Sequence, residues 1–263
     1  MRKILYFYFY TGKNVFSKQI TEVHKFWLRR YAKIFDELNF FIATDDINDI
    51  PNMVFAKERL SDVCSEVDKE KINFHFLKNT DERESQMVIR EILPKMLENK
   101  NDLCFICHNK GTTNRFNQSL INWVSGLWYY SCEFISELED VMANDDKVMY
   151  GPFKTKFKVR YDSVIQTHNV IYCGGFYWIK PSKYIENTTN KQFRFDNLKI
   201  PRYFSENVPL LLNEDCIASH NNVTFGSNEH NLYDDTDERW KETLNKCGND
   251  KEFSQLVNQL INK

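Results

Sequence analysis

Leu103-Cys104-Phe105-Ile106-Cys107-His108-Asn109-Lys110-Gly111 is an apolar run that stops abruptly in an imidazole, an amide, a cation and a glycine. An apolar strand without polar alternation fits a sheet covered on both faces, as parallel sheets are. In open sheets of that kind ligands bind outside the carboxyl ends of the strands. His108, Lys110 and Gly111 therefore stand where chemistry is expected. The same letters also spell Cys104-x-x-Cys107-His108, the spacing of a c-type haem attachment site. Two cysteines three apart in a strand point to opposite faces. A haem site further needs an exported chain and a distal ligand, and a zinc knuckle needs a second cysteine pair. None of these is evident, and the buried strand is the better reading.

The surrounding pattern supports it. Ile4 to Tyr10 and Asn39 to Thr44 read as strands, and Ile72 to Leu77 alternates like one. Between them, Ile20, Val23, Trp27, Tyr31 and Ile34 recur at helical spacing, and a short helix is expected within residues 52–67. Residues 84–97 place Val88, Ile89, Ile92, Leu93, Met96 and Leu97 on one helical face, with Pro94 as a bend. Strands separated by helices imply parallel βαβ units. The fold class is α/β, a Rossmann-like, mostly parallel sheet flanked by helices in a single domain. Neither G-x-G-x-x-G nor G-x-x-x-x-G-K-[ST] occurs, so dinucleotide and P-loop fingerprints are missing.

Downstream, residues 117–142 carry the longest helical pattern, with Leu120, Val124, Leu127, Trp128, Ile135, Leu138 and Met142 on its inner face. Residues 147–153 and 168–179 then read as strands, the second containing Gly174-Gly175-Phe176-Tyr177-Trp178. A polar segment leads to Leu210-Leu211-Leu212-Asn213-Glu214-Asp215, and Phe253, Leu256, Val257 and Leu260 mark a closing amphipathic helix. With 263 residues and a formal charge of −2, the chain can bury a substantial core. The near-neutral balance counts against a nucleic-acid binder, although a local basic patch is compatible with it. Seven scattered cysteines read as reduced thiols. The basic start and short apolar run at the amino terminus are broken too early for a signal peptide. No run reaches the length of a spanning helix. A cytoplasmic protein with at most peripheral membrane contact is expected.

Several residues have the right chemistry for a phosphate ligand. Lys110 is a point charge and Arg115 a planar fork, both suited to a diphosphate. Thr11 ends the first strand, and Asp45, Asp46 and Asp49 close the second, where they could meet a nucleotide or hold Mg²⁺. The paired glycines Gly174 and Gly175 allow close backbone approach, and Phe176 and Trp178 could stack on a sugar ring.

His108-Asn109-Lys110-Gly111, followed twelve residues later by Trp123 and then by Gly174-Gly175-Phe176-Tyr177-Trp178, resembles the pattern of bacterial polysaccharide-type glycosyltransferases. Their shared motifs are a strand ending His-x-Lys-Gly, a long tryptophan-bearing helix and a Gly-aromatic-Trp strand. The likeness covers about residues 85–220, with two departures: Gly175 replaces a usual asparagine, and Val124 replaces an arginine after the tryptophan. The resemblance implies a GT-A-like fold. Residues 1–115 would form the nucleotide-sugar-binding half and residues 116–263 the acceptor-side half of one compact domain. It implies transfer of a sugar from a nucleotide sugar to a glycan or glycolipid acceptor. Trp123, Gly174, Gly175, Phe176 and Trp178 would lie on the sugar and acceptor side, and Asp215 or Glu214 would be the catalytic acid-base group. Many GT-A enzymes end the matching strand in Asp-x-Asp, which holds a divalent metal. Here His108 and Lys110 stand in those places, so transfer with little or no metal dependence is expected and no cofactor is called for. Two other classes are open: a nucleotide- or carbohydrate-binding module without chemistry, and a metal-dependent phosphate hydrolase using His108 as base with Asp45 and Asp46 as ligands.

Overall fold

Mostly apolar residues suit Lys3–Tyr10, Glu37–Thr44 and Leu103–His108 to a sheet interior, Ile72–Lys78 alternates at its edge, and the four pair in parallel. In the computed structural model, which describes residues 1–11, 15–44, 50–65, 67–78, 91–98, 101–109, 117–144, 146–161, 164–172, 174–188, 214–219, 224–225, 245 and 250–262, these strands are β1 (Lys3–Tyr10), β2 (Glu37–Thr44), β3 (Ile72–Lys78) and β4 (Leu103–His108). They alternate with α1 (Val15–Tyr31), α2 (Ile50–Val63) and α3 (Leu93–Glu98). The helix expected over residues 84–97 is seen from its carboxyl part; residues 79–90 lie outside the described residues.

The second half completes the same sheet. After α4 (Gln118–Cys132) and α5 (Ile135–Ala143) come β5 (Met149–Gly151), a hairpin of β6 (Lys154–Tyr161) and β7 (Val164–Tyr172), and then β8 (Tyr177–Ile179). The remaining elements are α6 (Pro181–Thr188), β9 (Ile217–Ser219), β10 (Thr224–Phe225) and α7 (Lys251–Ile261). The main sheet has seven strands in the order β3-β2-β1-β4-β8-β5-β9. Six of them share one direction, and β8 runs against both of its neighbours. The result is the α/β, Rossmann-like, mostly parallel sheet expected from the sequence. Strand order reverses between β1 and β4, which makes that boundary a topological switch point.

Both faces of the sheet are covered. On one, Leu5, Phe7, Phe9, Phe40, Phe105 and Cys107 meet α1, α2, α4 and α7. On the other, Ile4, Tyr6, Tyr8, Cys104 and Ile106 meet Ile92 and Met96 beside α3 and Tyr184 of α6. Cys104 and Cys107 thus lie in different cores, as their spacing requires, and burial pushes both thiols up from the ordinary value. No ligand site for haem or zinc can be built from side chains on opposite faces of a strand.

Two expected elements break. The long helix stops at Glu133-Phe134 and restarts at Ile135. At that point Trp178 Nε1 donates to the Ser131 carbonyl (2.7 Å), and Tyr31 Oη donates to the Glu133 carboxylate (2.8 Å). Both tie the helix end to neighbours in place of continuing it. The strand expected over 168–179 divides at Gly174 and Gly175, whose φ angles of 89° and 67° are left-handed, a region a strand does not use. The closing helix behaves as its pattern implies: Asp250 caps it by accepting from Phe253 N, and Phe253 packs on Phe26 and Trp27.

A polar row crosses the second face at the β2–β3 edge. Asn39 and Asn73 donate to Glu37 Oε1 (3.0 and 3.2 Å), and His75 Nε2 lies 3.2 Å from Lys95 Nζ. An ammonium group can only donate, so His75 Nε2 accepts and the ring is neutral. Burial first, and the Lys95 charge second, hold the His75 pKa below its ordinary 6.5. The unfolded chain therefore takes up this proton more readily than the folded one. Stability contributed here is complete above pH 6.5 and declines as pH falls through the lowered folded value. Denaturant midpoints compared between about pH 7.5 and pH 5 should show that decline, and a His75→Gln variant should lose the His75 share of it.

Candidate functional site

The strand-end cluster begins with pairing. β4 lies beside β1 in register, His108 opposite Tyr8. β1 runs on to Tyr10, two residues past the level of His108, so Asn109 meets Tyr10 at the switch point. Asn109 is 2% exposed and its side chain acts as one more rung of the ladder. Its Oδ1 accepts from Tyr10 N (2.9 Å), its Nδ2 donates to Tyr10 O (2.6 Å), and its own N–H donates to Tyr8 O (3.1 Å). Thr11 N donates to Ala43 O (3.0 Å), fastening the same edge to β2. Sequence reading placed Asn109 inside the motif without giving it a role. The available signal was an amide at the first position past an apolar strand, where it can both donate and accept.

His108 turns the other way. It is 6% exposed, and its Nε2 lies 2.8 Å from the Gly174 carbonyl. A carbonyl only accepts, so Nε2 carries the hydrogen and donates. The imidazole is thus used to hold the Gly174-Gly175 turn against the end of β4. Gly174 has no room for a side chain: a Cβ there would come within 2.7 Å of Leu127 Cδ2 and 3.2 Å of Trp123 Cζ2. Trp123 is fully enclosed and stacks on Phe153 at 5.6 Å and 18°. The three separated motifs, strand end, tryptophan helix and glycine pair, therefore meet within one layer of contacts.

Phe176 and Trp178 do not form a sugar-stacking wall. Both are 0% exposed. Trp178 stacks on Phe105 (4.8 Å, 27°) and donates its indole hydrogen to Ser131 O. Phe176 is enclosed by Phe105, Trp128, His24 and His108. Alternating apolar residues beside an apolar strand bury themselves, and a ring at full burial offers no face to a sugar. Trp123 likewise supports the turn from beneath and presents no open surface.

Glu214 and Asp215 are not brought to this cluster. They form a short turn ahead of β9, where the Asp215 carbonyl accepts from Lys147 Nζ (2.7 Å). Ile217 pairs with Met149, and Met149 is level through Ile179 with Cys104. Asp215 therefore lies at the amino-terminal edge of the sheet, roughly 20 Å from His108 along the strand direction at about 3.3 Å per residue. The expectation that either carboxylate takes a proton beside His108 does not survive this register. A three-residue strand led by acids gave no sign of which sheet edge those acids would occupy. Asp45, Asp46, Lys110, Gly111 and Arg115 lie outside the described residues; Lys110 follows Asn109 directly in the chain.

No protein-family model and no curated protein matches the chain. Among solved structures, a crystal structure of 4-diphosphocytidyl-2C-methyl-D-erythritol synthase is similar at 9% identity with a TM-score of 0.40, covering 99% of this chain and 99% of that one. A likeness of that depth carries no information about activity.

Two substitutions test the cluster. Gly174→Ala adds a methyl group at positive φ against Leu127, and it should cost about 2–4 kcal/mol in denaturant unfolding. Asn109→Asp keeps the acceptor toward Tyr10 N but loses the donor to Tyr10 O. It should cost about 1–3 kcal/mol by the same measurement.

Proposed function

We propose that the protein is a nucleotide-sugar-dependent glycosyltransferase whose donor diphosphate binds across the carboxyl ends of β1 and β4. The observation that carries this reading is the hydrogen-bonded convergence of Thr11, His108, Asn109 and Gly174 at the switch point of a mostly parallel sheet. Ligands of such sheets bind at that place. The segment leaving it is Lys110-Gly111-Thr112-Thr113-Asn114-Arg115, rich in cationic and hydroxyl groups. The sequence resemblance to polysaccharide-type glycosyltransferases supports the same choice.

In this reading His108 and Asn109 are positioning residues. Asn109 fixes where β4 ends, and His108 fixes the glycine turn opposite it. Asn109, the residue before Lys110 in the chain, is held by three hydrogen bonds to β1. Transfer breaks the bond between the anomeric carbon and the distal phosphate oxygen, and the nucleoside diphosphate leaves with the electron pair. Negative charge grows on that phosphate as the bond lengthens. In this reading the Lys110 ammonium neutralises it directly, where a pair of carboxylates would first require a divalent cation. Transfer with little or no metal dependence follows from that substitution. The acceptor is a glycan or glycolipid hydroxyl, whose oxygen bonds to the anomeric carbon while its proton passes to the departing diphosphate or to solvent.

Thermal melting with nucleoside diphosphates and nucleotide sugars, with and without EDTA, tests the reading. A true ligand at a hundredfold excess over its dissociation constant should stabilise the fold by about 2.7 kcal/mol. That gain should persist in EDTA. Absence of any shift across the common nucleotides would end the proposal. Lys110→Ala should leave the unliganded melt in place and lower donor turnover about 100- to 1,000-fold, the size of losing one transition-state donor.

A further inference from the structure

β3 is an edge strand: among the described residues it pairs with β2 alone. An edge of this kind invites another strand, and natural proteins blunt it with bulges, proline, charged side chains or brevity. β3 uses none of these. Its seven residues pair with β2 in unbroken register. Between Lys71 and Lys78 stand Ile72, Asn73, Phe74, His75, Phe76 and Leu77, with neither a proline nor a carboxylate, lysine or arginine among them. The His75 ring is neutral, since it accepts from Lys95. Phe76 is 39% exposed.

The side chains of β3 divide between the two sheet faces. Phe74 packs against the core under α1 and α2, and strand alternation puts Phe76 on the same face. Asn73 and His75 take the other face, beside Glu37 and Asn39 of β2. α2 covers the edge on the Phe74 face. Arg59 on one of its flanks pairs with Glu22 of α1, and Lys57 on the opposite flank sits 5.4 Å over the Phe74 ring. Val54, one turn before Lys57, shares that outer flank and is 45% exposed. An exposed valine and an exposed phenylalanine therefore border the same open edge on the same face.

A two-fold axis perpendicular to the sheet through His75 lays β3 antiparallel to the β3 of a second copy over all seven residues. Full overlap gives the largest number of backbone hydrogen bonds. It also sets Phe74 opposite Phe76 of the other copy, twice, and cross-strand aromatic pairs of this kind are favourable. At the axis two neutral imidazoles meet. On the Phe74 face α2 packs over β2 and β3. At about 4.8 Å per strand the two copies of α2 come about 10 Å apart, an ordinary helix-packing distance. The strip of contact is about 23 Å long and, with sheet and helix layer together, about 15 Å deep, so each copy buries roughly 400 to 500 Å². The total is near the ~1,000 Å² that a specific interface needs, the size of a dimer in exchange with its monomer. With a formal charge of −2, two copies repel each other only weakly.

We propose that the β3 edge is the interface of a two-fold homodimer, in which β3 pairs antiparallel with its own copy and Val54 and Phe76 are covered. The partner is a second copy of this chain because the strand's midpoint, its two phenylalanines and the spacing of α2 all satisfy one axis. The main sheet then runs unbroken through both copies. Their β4 strand ends open in opposite directions, separated from the interface by β1 and β2. The proposal does not depend on the glycosyltransferase reading.

Sedimentation velocity of the whole chain from ~1 to ~300 µM tests this, with a rise from monomer to dimer mass expected. Phe76→Lys should weaken the dimer about 25-fold, near fivefold at each of the two Phe74–Phe76 pairs. Phe76→Tyr should keep it, and melting curves of dilute protein check that both variants are folded. Under mild oxidation His75→Cys should give a cross-linked dimer, because the two Cα atoms at the axis stand about 4.5 to 5.5 Å apart, within disulfide reach. Asn73→Cys should stay at the wild-type background, since its two copies are about 13 Å apart along the strands. A mass that stays monomeric at every concentration would overturn the proposal. So would a dimer unaffected by Phe76→Lys, or cross-linking of Asn73→Cys as fast as that of His75→Cys.

Discussion

Parallel pairing of β1 with β4 is the constraint on which the rest depends. The chain builds β1, β2 and β3 toward one side, then returns to lay β4 along the other side of β1. Register between Tyr8 and His108 leaves β1 running two residues past the end of β4. There the backbone of Tyr10 would have two unpaired groups on the β4 side, and an unpaired buried backbone group is expensive. Asn109 meets both with one side chain. The margin is thus fastened by one buried amide that both donates and accepts.

The aromatic layer above the sheet explains how distant motifs reach that margin. Phe35, Phe105 and Trp178 pack mutually, with ring centroids 4.8, 5.6 and 5.9 Å apart. Trp27 and Trp128 donate their indole hydrogens to Ser125 and His24. Burying an indole with its N–H satisfied gains apolar contact without a desolvation loss. Trp178 and Trp128 thereby fix α4 against the sheet, and α4 carries Trp123 and Leu127 under Gly174. Residues with a binding look in the sequence, Phe176 and Trp178 above all, therefore serve the site by holding its frame.

Much of the architecture was legible because its signals are local. Apolar strands without alternation, helical spacing between them and the absent phosphate loops were enough for the α/β class and for the order of elements through β4. The end of the buried strand at His108 was legible for the same reason. The division of the long helix at Glu133 was not, since it depends on Trp178 and Tyr31, residues far off in the chain. Nor was the fate of the Gly174-Gly175 stretch, where the pattern of aromatics read as a strand face and the positive φ angles make a turn.

What the sequence by itself determined is the identity of the strand that ends in His108-Asn109-Lys110-Gly111, because burial on both faces is written in side-chain polarity alone. It also determined that Cys104 and Cys107 cannot share a ligand, because a spacing of three separates faces in any strand. Only the tertiary structure decided which groups stand around that strand end. It turned His108 toward Gly174, made Asn109 the latch, buried Trp123 and Trp178, and carried Glu214 and Asp215 to the opposite edge. Those outcomes depend on register between strands remote in sequence. A one-dimensional pattern records which face a residue takes but not which end of the sheet it reaches.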